Sequence, residues 1–101
     1  MLEINERWTL DTRRGLLING ENIVSLSRIN FRIIYYLATR RNQPVSIENI
    51  IQFAWGNKNY ATKNTLYVYI YRLRFIIEED VKSPKSILNV RNYGYVLTNK
   101  F

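Results

Sequence analysis

Residues 63–80 combine side chains that bind polyanions with the spacing of an α-helix. One face is apolar at intervals of four, three and four residues, at Leu66, Ile70, Leu73 and Ile77. The opposite face holds Asn64, Val68, Tyr71, Arg72 and Phe75. No carboxylate lies between Glu48 and Glu78, whereas four Lys or Arg residues do. A basic, aromatic face without acids suits insertion into a polyanion. The alternative is a core helix with one face open to water.

Residue types that support catalysis or metal binding are almost absent. The chain has no His, no Cys and no Gly-rich phosphate loop, and its one carboxylate cluster is Glu78, Glu79 and Asp80. General acid–base, nucleophilic and metal chemistry need such groups. We therefore predict no catalytic residue, no metal site, no cofactor, no small-molecule substrate and no enzyme activity. The three acids are expected at an exposed helix end.

The composition predicts one packed domain with an anionic partner. The 101 residues include 15 Lys or Arg and 8 Asp or Glu, which gives a net charge of +7 and a pI near 9.9. The hydrophobic fraction of 47% argues against a disordered basic tail. No apolar run approaches the roughly 20 residues of a membrane span, and acids interrupt the N-terminus where a signal peptide would be apolar. A cytoplasmic domain is expected.

Short strands are predicted between residues 2 and 25, ahead of the first helix. The runs LEIN, RWTLD, GLLI and NIVSL are separated by turn residues, and Asn19-Gly20 is a strong hairpin signal. These runs predict a small antiparallel sheet of three or four strands. Such a sheet must pack on an apolar partner to be stable.

Three helices and a terminal hairpin follow. Ser27 is the predicted cap of a helix ending near Arg41, and Ser46 of a second ending near Ala54. After a polar loop and the helix at 63–80, strands at 87–90 and 95–98 close the chain. This order predicts an α+β winged helix-turn-helix, with a sheet at 1–26, three helices at 27–80 and a wing at 81–101. In that arrangement the third helix enters the major groove of DNA and the wing reaches the backbone or the minor groove.

Three segments resemble the OmpR/PhoB-type winged-helix domain. They are LSRINFRIIYYLATRRNQPVSIENIIQFAWG for the first two helices, NTLYVYIYRLR for the recognition helix and ILNVRNYGYVL for the wing. Within that family the chain looks most similar to the ToxR-like regulators. The resemblance implies a bacterial transcription activator that binds double-stranded DNA. It also implies contact with RNA polymerase through the loop at 56–61, and a tether to the inner membrane outside this stretch.

The helix supplies most candidate DNA contacts. Arg72 is placed to bind guanine bidentately or to hold a phosphate, with a plain exposed helix former as the alternative. Arg74 lies nearer the flank, where a phosphate contact and a structural ion pair are both open. Val68 is a candidate for a thymine methyl and Tyr71 for a phosphate or base edge, unless they meet a partner protein. Trp55 is assigned to the core.

The helix start and the wing supply the other candidates. Asn64 and Thr65 lie where N–H groups favour phosphate, with simple capping as the alternative. Arg91 beside Asn92 suits a narrow minor groove, with a solvated turn charge as the alternative. Tyr95 is expected either to bond a phosphate through its hydroxyl or to pack in the sheet.

A second class of function stays open at this stage. A winged helix can also serve as a protein–protein interaction module, here pairing with another regulator or with RNA polymerase through its aromatic face. The chain shows no coiled-coil pattern and no large exposed aliphatic stripe, so a monomer is expected in dilute solution. A homo- or heterodimer would then assemble on DNA.

The charge distribution yields a first prediction. Affinity for duplex DNA should fall with salt at a log–log slope of roughly −4 to −7, because each neutralised phosphate releases counterions. Binding titrations at several KCl concentrations measure this slope. A slope near zero would favour the protein-interaction alternative.

Overall fold

The N-terminal runs pair as one antiparallel sheet in the computed structural model, which describes residues 1–56 and 61–99. Its four strands, in spatial order, are β1 (Leu2–Glu3), β2 (Thr9–Asp11), β3 (Leu16–Asn19) and β4 (Asn22–Ser25). The hairpin predicted at Asn19-Gly20 is present, but its loop residues are Gly20 and Glu21, since Asn19 pairs with Asn22. Only Gly20 has a positive φ, of 61°, which is the pattern of a type II′ turn.

The two predicted serine caps are confirmed. Helix α1 spans Arg28–Thr39 and helix α2 spans Ile47–Trp55, and Ser27 and Ser46 each accept a hydrogen bond from the backbone N–H three residues later. Such bonds satisfy N–H groups that have no partner inside the helix. Helix α1 ends two residues before the predicted Arg41, because the Arg40 N–H bonds back to the carbonyl of Leu37.

Helix α3 spans Lys63–Ile77 and ends three residues before the predicted Asp80. Glu78 has an extended backbone, with φ −84° and ψ 144°. Its carboxylate accepts hydrogen bonds from the backbone N–H groups of Lys85, Ser86 and Ile87, at 2.8–3.1 Å. The prediction that this acid lies at an exposed helix end is therefore wrong: Glu78 is buried and holds the segment that leads into the wing.

The predicted C-terminal hairpin is confirmed, and a third strand, which the sequence did not predict, joins it to make a small sheet. Strands β6 (Ile87–Val90) and β7 (Gly94–Leu97) pair with each other, and β5 (Val45–Ser46) pairs with the outer side of β7. A Cβ atom on Gly94 would lie 1.9 Å from the carbonyl oxygen of Val45. Only glycine allows the two backbones to approach so closely, so Gly94 lets the wing pack against the start of α2.

One core joins the N-terminal sheet, the helices and the wing. The predicted apolar face of α3 is fully buried, and Ile33 and Leu37 of α1 belong to the same core. Asn5, in the turn after β1, donates to the carbonyl of Ile77 at 3.0 Å and to the Ser86 hydroxyl at 2.9 Å. This amide connects the N-terminal sheet to the end of α3. In residues 1–56 and 61–99, none of the helices combines the length and the apolar character that a membrane span requires.

The buried face of α3 yields a stability prediction. Leu73→Ala should lower the free energy of unfolding by about 2–5 kcal/mol, because it leaves a cavity under the helix. Phe75→Ala, two residues on but 71% exposed, should change it by less than about 0.5 kcal/mol. Urea unfolding followed by circular dichroism measures both. Equal losses in the two variants would contradict the assignment of the helix faces.

Candidate nucleic-acid interface

The outer face of α3 is open along its whole length. Val68 and Tyr71 are each 45% exposed, and Asn64 and Arg72 are also exposed. Four predicted contact residues therefore share one surface, because positions three, four and eight residues apart lie on one side of a helix. Tyr67, which sequence analysis did not select, is exposed beside them. Tyr67 would have been selected if a wider range of angles around the helix had been counted as its outer face.

Arg72 lies over an aromatic ring that is itself in contact with a second ring. Its guanidinium carbon lies 5.0 Å from the ring centroid of Tyr69, within cation–π range. Tyr69 in turn meets Trp55 edge-to-face at 5.3 Å, and both rings pack against the core. Trp55 is thus partly buried and structural, as predicted. Because the ring limits its freedom, the Arg72 side chain loses less entropy on binding an anion.

Arg74 faces inward, so the prediction that it contacts DNA is wrong. It is 6% exposed, and its guanidinium donates to the carbonyl of Ile87 at 2.9 and 3.0 Å. It also donates to Oδ1 of Asn89 at 2.6 Å. The alternative of a structural ion pair is not found among the described residues either, since both acceptors are neutral. Arg74 instead fastens β6 to α3, and this fixes the wing relative to the helix.

The start of α3 is closed by reciprocal hydrogen bonds. The Thr62 hydroxyl accepts from the N–H of Thr65 at 3.3 Å, and the Thr65 hydroxyl accepts from the N–H of Thr62 at 3.2 Å. This capping box is the alternative stated for Thr65, whose hydroxyl is already bonded. Asn64 is exposed one position earlier, so its amide is available to a ligand at the helix start.

The turn of the wing presents Arg91, Asn92 and Tyr93 on a tight three-residue loop. Asn92 has a φ of 60°, a left-handed conformation that Asn tolerates better than most residues. The Tyr93 N–H donates to the carbonyl of Val90 at 2.9 Å, and its carbonyl accepts from the N–H of Ile47 at 3.0 Å. The loop is therefore anchored to α2, while the side chains of Arg91 and Asn92 are exposed.

A cleft of about 400 Å³ separates α3 from the wing turn. Its lining includes two cations, several amides and tyrosines, and no acid: Ile47, Lys63, Asn64, Tyr67, Asn89, Val90, Arg91, Asn92, Tyr93, Gly94 and Tyr95. The structure thus brings candidates from the helix and from the wing to one surface. Lys63, Tyr67 and Tyr93 are cleft residues that sequence analysis missed, because only the packing of the wing on α2 places them there.

Tyr95 belongs mainly to the wing sheet. It is 5% exposed, and its ring centroid lies 5.8 Å from the guanidinium carbon of Arg74. Burial raises the pKa of its hydroxyl above the ordinary value of 10.0, although the nearby Arg74 charge opposes this shift. Tyr95 is therefore neutral at pH 7. Packing in the sheet is the alternative that the structure supports, and the phosphate bond stays a prediction.

No acidic side chain from the described part of the chain lines the cleft. Among residues 1–56 and 61–99, no three acidic side chains gather where they could hold a metal ion. The interface is built from cations, amides, phenols and apolar groups. Such a surface is suited to an extended polyanion that also offers apolar edges.

Comparison with known proteins identifies a family. The family described as "Transcriptional regulatory protein, C terminal" matches residues 20–97. The transcriptional regulatory protein YvrH of Bacillus subtilis is 32% identical over 87% of this chain and 37% of its own length. The response regulator SaeR of Staphylococcus aureus is 27% identical over 93% of this chain and 41% of its own length. The chain thus spans about two fifths of these relatives.

A solved structure agrees with the sequence match. The C-terminal domain of the nisin resistance regulator NsrR, described as a lantibiotic response regulator, is 34% identical. It superposes with a TM-score of 0.70 over 89% of each chain. The fold predicted from sequence is therefore confirmed. SaeR and NsrR are described as response regulators, and the comparisons do not support the expected closeness to the ToxR-like group.

The position of Arg74 yields the next prediction. Arg74→Met should lower the free energy of unfolding by about 1–3 kcal/mol, because charge-assisted hydrogen bonds to the wing are lost. Arg72→Met, the same change two residues earlier, should alter it by less than about 0.5 kcal/mol. Thermal and urea unfolding of both variants measure the difference. Unchanged stability in Arg74→Met would show that this guanidinium does not hold the wing.

Proposed function

The chain belongs to the "Transcriptional regulatory protein, C terminal" family of OmpR/PhoB-type winged-helix DNA-binding domains, and from this membership we propose how it holds DNA. Helix α3 lies in the major groove of the duplex, and the turn between β6 and β7 reaches the adjacent minor groove. The observation that supports this mode is the acid-free cleft lined by both elements. A sugar–phosphate strand separates the two grooves, and it would occupy that cleft.

Each exposed side chain receives a role from its place on the surface. Arg72, held over Tyr69, binds a guanine edge or a phosphate lining the major groove. Asn64 and the first N–H groups of α3 bind the backbone, where the positive end of the helix dipole favours phosphate. Arg91 enters the minor groove with Asn92 beside it. There the narrow groove of A·T-rich DNA concentrates negative potential.

The domain acts within a larger assembly in this proposal. Its relatives are regulators more than twice as long as the matched stretch. We propose that it activates transcription through RNA polymerase and that copies pair on DNA. The polymerase contact predicted in the loop at 56–61 lies largely outside the described residues. An inner-membrane tether stays a prediction from resemblance alone. No observation favours the protein-interaction module over DNA binding.

Substitutions at the two contact elements test this mode. Arg72→Ala should weaken the free energy of binding to a specific site by about 1–3 kcal/mol, because it removes a contact with a base or with a phosphate lining the groove. The difference in affinity between the specific site and random DNA should therefore become smaller. Arg91→Ala should cost a similar amount, but its penalty should shrink when flanking A·T pairs are replaced by G·C. Fluorescence anisotropy on three duplexes measures this, using a site selected from random sequence, its G·C-flanked version and an unrelated duplex.

The control is Arg13→Ala, which removes one exposed positive charge from the N-terminal sheet and none from the cleft. Its effect on binding should be small and equal on all three duplexes. If Arg13→Ala costs as much as Arg72→Ala, net charge rather than groove contact determines the affinity. If Arg72→Ala lowers the melting temperature while selectivity survives, the side chain is structural and the proposed orientation is wrong.

A further inference from the structure

The exposed face of α3 is unusually apolar beyond its first turn. Val68, Tyr71 and Phe75 succeed one another at three and four residues and are 45%, 45% and 71% exposed. They form one stripe on the outside of the helix, called here the apolar stripe. From Val68 to Phe75 it extends about 10 Å along the helix axis. That is roughly three base-pair steps of B-DNA at 3.4 Å each.

Few hydrogen-bonding groups accompany the apolar stripe. Arg74 is turned inward and bonded to the wing, and the Thr65 hydroxyl is bonded in the capping box. Past the first turn, the exposed polar groups of α3 are the guanidinium of Arg72 and the phenols of Tyr67 and Tyr71. The helix therefore has little capacity to read base edges through side-chain amides or carboxylates, which usually distinguish adenine and cytosine.

Major-groove edges offer one strong apolar group to such a surface. They present ring nitrogens, carbonyl oxygens and amino groups, and the exception is the C5-methyl group of thymine. An aliphatic side chain placed over a polar edge removes water without replacing its hydrogen bonds, which is unfavourable. Placed over a thymine methyl, the same side chain buries apolar surface on both sides.

From these observations we infer that the apolar stripe reads thymine methyl groups, and that the DNA site contains thymines at neighbouring major-groove positions. Val68 is the central reader, since it has no polar atom and lies one helical turn from both Asn64 and Arg72. This inference rests on the proposed function, because it requires α3 to lie in the major groove. It adds the class of sequence that the domain prefers.

Replacement of thymine by deoxyuridine tests the inference directly. Deoxyuridine keeps the base pair and the O4 acceptor and removes only the methyl group. A high-affinity duplex is first selected from random sequence with the wild-type chain. Each thymine in it is then replaced in turn, and affinities are measured by fluorescence anisotropy for wild type, Val68→Ala and Arg91→Ala. Thermal melts confirm that the three proteins are folded.

For the wild-type protein, deoxyuridine at one or more core positions should weaken binding about fourfold for each methyl group removed. This factor corresponds to the transfer free energy of about one buried CH₂ group. For Val68→Ala, deoxyuridine at the thymine that Val68 contacts should cause almost no further loss of affinity. Arg91→Ala should bind more weakly on every duplex but should keep the wild-type penalty, because its contact lies in the other groove. This pattern would support the inference.

Two results would overturn the inference and leave the proposed function standing. One is specific binding that no deoxyuridine substitution weakens, or a selected site without thymine in its core. The other is a penalty that is the same in wild type and in Val68→Ala, since the methyl would then be read elsewhere. If no duplex is selected over random DNA, the proposed function itself fails, and the inference fails with it.

Discussion

The attachment of the wing to α3 is the constraint on which the interface depends. Arg74 binds the carbonyl of Ile87, and the Glu78 carboxylate binds the backbone that enters β6. Both are charged groups buried next to fixed backbone partners, and such groups are costly to leave unpaired. Helix and wing therefore keep one relative position. The proposed binding mode, in which the two elements contact different grooves of one duplex, requires such a fixed position, because the distance between the grooves is set by the DNA.

The contacts that hold α3 in place leave its outer face exposed. Helix α3 is fixed on one side by its apolar face and on another by Arg74, and its third side is exposed. Asn5 holds its far end to the N-terminal sheet. Gly94 brings β7 close enough to pair with β5, and so places the wing turn beside α2. The exposed side chains of the outer face, such as Val68, Tyr71 and Phe75, therefore lie outside the buried core.

That outer face suggests recognition by shape and apolar contact as much as by hydrogen bonds. One guanidinium lies over an aromatic ring, and its neighbours are aliphatic or phenolic. The absence of acids keeps the surface attractive to phosphate at long range, since the domain has a net charge of +7. In the proposed binding mode, attraction to the DNA backbone and discrimination between bases therefore come from different groups on one helix.

The sequence by itself determined the features that follow from local spacing and local chemistry. Helical periodicity identified the buried face of α3, Ser27 and Ser46 marked helix starts, and two short β runs near the end of the chain placed the wing turn between them. The tertiary structure decided what depends on distant partners. Arg74 lies at the border between the two faces of α3, and its direction is set by a carbonyl 13 residues away. The buried state of Glu78, the pairing of β5 with β7 and the placement of Tyr67 in the cleft have the same origin. Periodicity gives the angle of a side chain around its own helix, but only packing shows whether a neighbour covers that angle.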